Sequence, residues 1–131
     1  MSTSLTPTQV EFLRRRQFAH VATVNPDGSP HVTALWVDSD GEAVLLNTAL
    51  GRVKARNLEH DPRIAISLVD SENPYDSLTI QGRAELIEDG GVEHIRFLSQ
   101  KYRGDPDFAL RPGERRVIIR VLPERVGGEV R

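Results

Sequence analysis

The segment Asn47-Thr48-Ala49-Leu50-Gly51-Arg52-Val53-Lys54-Ala55-Arg56-Asn57 carries the strongest chemical signal in the chain. An apolar strand pattern ends there, a glycine turn follows, and a helical pattern opens with cations in its first turns. Free N–H groups and the positive end of a helix dipole favour an anion at such a start. Thr48 can donate its hydroxyl, while Arg52 and Lys54 can add charge-assisted bonds. With no anion present the same cations oppose the dipole, which makes the pattern a poor one for a plain surface helix.

Other chemistries find less support. The four histidines, His20, His31, His60 and His94, are scattered and lack both the i, i+4 and the His-Glu-x-x-His spacings of a zinc site, so no metal is expected. Neither a Gly-x-Ser-x-Gly elbow, a P-loop nor a Gly-x-Gly-x-x-Gly turn occurs. With zero cysteines there is no thiolate nucleophile and no disulfide frame. Trp36, the single tryptophan, reads equally as a core aromatic or as a stacking partner for a bound ring. His31, Val32 and Thr33 precede it on the same strand and can line a pocket with backbone groups and a hydroxyl. Arg83 and Arg120 read as partners of acids, and the Arg14-Arg15-Arg16 run as helix-end cations.

These residues need elements to position them. Thr6-Pro7-Thr8-Gln9 reads as a capped helix start, with the helix running to about Arg16. Residues 18–24 and 30–37 flank the turn Asn25-Pro26-Asp27-Gly28 as a hairpin. After a second turn at residues 38–41, residues 42–48 form a third strand, which extends the hairpin into an antiparallel meander. A short helix spans residues 51–60 and is stopped by Asp61-Pro62. Strands follow at residues 63–69 and 78–88, with Gly82 marking a bulge or a close approach. Val92, Ile95, Leu98 and Tyr102 recur at helical spacing, and a last strand over residues 115–122 ends at Pro123, leaving residues 124–131 as a tail. Six strands with helices that never alternate strand by strand indicate a β-rich α+β fold, an antiparallel barrel closed or half closed.

Composition bounds the rest. A chain of 131 residues is expected to be one domain spanning residues 1–131, able to bury roughly two-thirds of its unfolded surface. The net charge of −2 gives the chain as a whole no attraction for nucleic acid, so any basic site is local. Only Lys54 and Lys101 among the 17 bases are lysines, which adds interest to Lys54. No membrane span is expected, since apolar runs are far shorter than the ~20 residues needed. The N-terminus lacks the apolar region of a secretory signal, and a cytoplasmic location is expected.

The order Phe-Ala-His-Val-Ala-Thr-Val, Asn-Pro-Asp-Gly-Ser-Pro-His-Val, Leu-Leu-Asn-Thr, Gly-Arg-Val-Lys-Ala-Arg-Asn-Leu, Asp-Pro-Arg-Ile-Ala resembles the pyridoxamine-phosphate-oxidase-like split-barrel flavoproteins. In particular it resembles their actinobacterial branch that uses the deazaflavin coenzyme F420. The likeness runs from about Leu5 to Val126 and includes the closing Glu-Arg-Val-Gly-Gly. It implies a six-stranded split β-barrel with short flanking helices, a homodimer, and a cofactor groove at the subunit interface. Thr48, Arg52 and Lys54, with Asn47 just before them, match the family's phosphate-binding strand-turn-helix, and Asn57 matches a polar residue one turn on. His31, Val32 and Thr33 fall on the strand bordering the ring. The basic residues that hold substrate phosphate in pyridoxamine phosphate oxidase are absent near this C-terminus, so vitamin B6 oxidation is not implied. The implied activity is hydride transfer from F420H2 to an unsaturated small-molecule acceptor. FMN-dependent oxidoreduction and a non-catalytic F420 carrier stand as alternatives, because both cofactors present a phosphate.

Overall fold

Helix α1 (Pro7–Arg14) opens as its sequence dictates: the Thr6 hydroxyl accepts from the Gln9 N–H at 3.1 Å, and the Gln9 carboxamide accepts from the Thr6 N–H at 2.8 Å. This reciprocal box satisfies two donors that a helix start otherwise leaves open. The computed structural model describes residues 3–130. In it α1 buries Phe12 and Leu13 completely and stops short of the expected Arg16. Arg15 there turns to extended backbone, and its guanidinium clamps Glu11 at 2.8 Å and Asp70 at 3.2 Å.

The expected hairpin of β1 (Phe18–Val24) and β2 (Pro30–Trp36) is present, with Phe18 opposite Trp36 and Val24 opposite Pro30. Next come β3 (Asp38–Ser39), β4 (Val44–Ala49), α2 (Val53–His60), β5 (Arg63–Val69), β6 (Ser77–Ile87), α3 (Gly91–Arg103) and β7 (Arg116–Gly127). Among the described residues the strands form one antiparallel sheet of seven, in the order β2-β1-β5-β6-β7-β4-β3. The strand beyond the six expected is the two-residue β3, which pairs with β4 where a turn is read from the sequence.

Two expectations need correction. The meander does not form: β4 pairs with β7, from Val44 opposite Val121 to Ala49 opposite Arg116. Local turns favour sequence neighbours, but β4 is buried along almost its whole length, and the apolar run Val117, Ile119, Val121 supplies the partner it needs. Nor does Pro123 end the last strand. Gln81 lies opposite Arg125 and Gly82 opposite Pro123, so a bulge sits at the expected Gly82 and β7 continues to Gly127. A bulge tolerates the missing proline N–H.

The two ends of the sheet approach each other at β2 and β4, so the sheet curls into a split barrel. Its interior holds Val21, Leu46, Ile66, Leu78, Ile80 and Ile119, with Phe12 and Leu13 of α1 packed into the same core. Among the described residues no helix is long and apolar enough to cross a membrane. The seam between β2 and β4, flanked by α3, is where the candidate site lies.

Candidate functional site

At the end of β4 the chain turns through Gly51, whose φ of 92° favours glycine, and enters α2 with Arg52 as its N-cap. No side chain caps this start and no acid occupies its first turn. The first N–H groups of α2 therefore keep their open bonding capacity. Beside them the Thr48 hydroxyl is buried without a partner. Such a group costs free energy unless a ligand or water takes the bond.

A cavity of about 210 Å³ adjoins this junction, lined by Asn47, Thr48, Arg52 and Arg116 and by the apolar side chains of Phe18, Leu35, Trp36, Ile95, Leu98 and Phe108. Lys54 is only 7% exposed, and its ammonium is held below its ordinary pKa by burial, then by the positive charges of Arg52 and Arg116. Burial also lowers Arg116, against the opposing pull of Glu114. Lys54 and Arg116, whose charges burial and the nearby Arg52 both disfavour, form a site that a bound anion relieves.

Arg116 is the functional candidate that sequence reasoning missed. Its Nε donates to Asn47 Oδ1 at 2.9 Å, its Nη1 to Glu114 at 3.3 Å, and its guanidinium lies 5.2 Å from the Phe108 ring centre. The sequence signal was an arginine at the head of an apolar strand, but its relevance depends on β7 pairing with β4, which places Arg116 opposite Ala49.

The structure brings Asn47, Thr48 and Arg52 together on one cavity, with Lys54 close enough to feel Arg52 and Arg116. Asn47 is fully engaged by the protein: besides accepting from Arg116, its Nδ2 donates to Gly91 O at 3.0 Å and lies 3.0 Å from His94 Nδ1. Asn57 lies outside the cavity lining and donates to Thr23 Oγ1 at 3.0 Å and Asn25 Oδ1 at 2.9 Å, tying α2 to the first hairpin. His31, Val32 and Thr33 also lie outside it. Val32 is exposed, while His31 Nδ1 and Thr33 Oγ1 are buried and unpartnered on the β2 face they share with Leu35, a cavity residue. Trp36 lines the cavity and stacks on Tyr102 with ring centres 5.3 Å apart. Tyr102 hydrogen-bonds Gln17 O and the Val37 backbone, and burial pushes its pKa up to about 12. Arg83 meets Glu124, and Arg120 meets Asp40, Glu42 and Glu85, as acid partners.

The family model described as pyridoxamine 5'-phosphate oxidase matches residues 5–128. The chain belongs to this family. Within the wider group of similar proteins, an F420H(2)-dependent biliverdin reductase of Mycobacterium tuberculosis is 32% identical over 133 residues, covering 97% of this chain and 90% of that protein. A solved structure of an F420 reductase superposes with a TM-score of 0.79 at 34% identity, over 89% of this chain and 94% of the other. The conserved hypothetical protein Rv2991 of Mycobacterium tuberculosis matches with a TM-score of 0.73 at 26% identity, over 95% and 84% of the two chains. The curled antiparallel sheet of this chain agrees with the fold of these similar proteins.

Proposed function

We propose that this chain is an F420H2-dependent oxidoreductase, with residues 1–131 forming one cofactor-binding domain that works as a homodimer and holds F420 in a groove at the interface. The observation that carries this reading is the unpartnered Thr48 hydroxyl beside Arg52, Lys54 and Arg116 at an uncapped helix start. That donor set fits a phosphate: a hydroxyl, open main-chain amides and cations with no acid in the first turn of α2. Two similar proteins whose names specify F420 support the choice of deazaflavin.

When bound, the cofactor supplies a hydride for an unsaturated small-molecule acceptor. The chain's own residues bind and orient. Thr48 donates to phosphate, Arg52 and Lys54 neutralise it, and Asn57 fixes α2 against β1 so that Lys54 keeps its place. The face of β2 bearing His31 and Thr33 borders the ring, with buried polar atoms still to be satisfied there. Phe18, Trp36 and Phe108 give the cavity an aromatic, apolar wall. Arg56, exposed on α2, is available to further negative charge on the oligoglutamate tail of F420.

Titration of the purified protein with F420 and, separately, with FMN tests the cofactor, read by fluorescence quenching. Oxidation of F420H2 in the presence of biliverdin, quinones, enones and nitroaromatics tests the acceptor. The reading predicts tighter binding of F420 and acceptor-dependent turnover. Tighter binding of FMN would move the assignment to FMN-dependent oxidoreduction, and tight F420 binding without turnover would make the chain a carrier.

A further inference from the structure

We propose that Arg116 binds the anion of this site directly, and that the Asn47 carboxamide, held by a neutral His94, is the positioning group that aims it. This rests on the anion-binding reading of the β4–α2 junction and adds to it a cation from β7. An anion would then be clamped from two elements.

The argument starts at the Asn47 amide. Arg116 offers only donors, so the oxygen of Asn47 must face it, and the 2.9 Å bond from Nε fixes the amide's orientation. Both Nδ2 hydrogens are then directed away from Arg116, one to Gly91 O and one to His94 Nδ1, each at 3.0 Å. His94 can accept only if its Nδ1 carries no proton, so the ring is neutral with hydrogen on Nε2. That Nε2 is buried and finds no protein partner, which leaves the Asn47 bond as the polar contact setting the ring. The order of control therefore runs from His94 and Gly91 through Asn47 to Arg116.

Arg116 itself is 5% exposed and held at two places, Nε by Asn47 and Nη1 by Glu114, with the Phe108 ring centre 5.2 Å from its guanidinium carbon. Among the described residues Nη2 has no protein acceptor, and the side chain lines the same cavity as Thr48 and Arg52. A planar fork fixed at Nε and Nη1 offers the N–H groups of Nη2 to an anion with little further loss of freedom.

This arrangement is sensitive to protonation of His94. The groups facing it are Asn47 on β4, Asp38 on β3, which favours the charged ring, and Arg116 on β7 and Lys101 on α3, which oppose it. A proton on Nδ1 would confront the Asn47 NH2, and relieving that contact by turning the amide takes Oδ1 away from Arg116. Acidification should therefore weaken anion binding. Simple electrostatics gives the opposite sign, because an added positive charge nearby strengthens anion binding.

Trp36 is the single tryptophan and lines this cavity, so its fluorescence can report on binding. The test titrates the full chain with sulfate, whose charge is constant between about pH 5 and 8 where histidine titrates, and with F420. Wild-type protein should bind both, with sulfate affinity falling toward acid pH. Arg116→Gln should bind at least ~10-fold more weakly, and Arg116→Lys, which keeps the charge without the fork, should recover only part of that loss. His94→Phe should weaken sulfate binding at pH 8 and remove its acid dependence, with an unchanged circular dichroism spectrum. If the Arg116→Gln protein fails to fold, Arg116→Lys and His94→Phe decide. F420 bound equally well by wild type and by the Arg116 and His94 variants would overturn this assignment alone. So would F420 binding without sulfate binding. A wild type that binds neither ligand would overturn the anion reading as well.

Discussion

Lys54 is 7% exposed and lies within the field of Arg52 and Arg116, where its charge costs the folded chain and, in the proposed role, serves a bound phosphate. Lys54→Ala should weaken F420 binding by roughly 1.5–3 kcal/mol, the usual worth of a hydrogen bond to a charged group. Its melting temperature without ligand should match or exceed that of wild type, because a desolvated, repelled charge is gone. Calorimetric titration and thermal unfolding read the two effects separately, and equal loss in both would make the lysine structural. His94 gives a signed pH dependence. Burial lowers its pKa below 6.5, so the folded state takes up the proton less readily than the unfolded chain does. Its contribution to stability is complete above pH 6.5 and is lost as pH falls through the native value. In urea unfolding at stepped pH, His94→Phe should flatten the decline that wild type shows between pH 6.5 and that lower value.

The junctions between elements carry the next constraint. Gly91 begins α3 against β7 so closely that an added Cβ would overlap the carbonyl of Arg116, and the Gly91 carbonyl is also an acceptor for Asn47. Gly91→Ala should cost about 1–3 kcal/mol of stability, the range for overpacking a tight contact, and should weaken sulfate binding in parallel. Denaturant titration and the Trp36 assay check both. The boundary elements were legible because their signals are local. The Thr6 box, the Asn25-Pro26-Asp27-Gly28 turn and the Asp61-Pro62 stop all depend on residues within a few positions of each other. Thr48, Arg52 and Lys54 could likewise be singled out from a single strand-turn-helix. The pairing of β4 with β7 spans some 70 residues and has no local signature, so the meander was expected instead and Arg116 went unnoticed. Asn47 was readable as a polar residue beside the turn, but its bonds to Gly91, His94 and Arg116 follow from tertiary pairing alone.

Across the whole molecule, curling the sheet until β2 meets β4 leaves an aromatic-lined seam between them, and the cavity there holds about 210 Å³. A space of that size does not enclose a three-ring cofactor with its side chain, since drug-sized ligands occupy pockets of roughly 300–1,000 Å³. The proposed second subunit would enlarge it. Exposed apolar side chains on this chain, among them Val32 at 59% and Phe18 at 57%, suit such a contact. Sedimentation equilibrium should give twice the 14.6 kDa chain mass, and a monomer at assay concentrations would remove the interface groove. The central claim is tested most directly by a crystal structure of the chain with F420 bound. The phosphate should lie about 2.7–3.2 Å from the Thr48 hydroxyl and from the cations Arg52 and Lys54 at the start of α2. A phosphate bound elsewhere, with the Thr48 hydroxyl still unpartnered and those cations facing solvent, would contradict it.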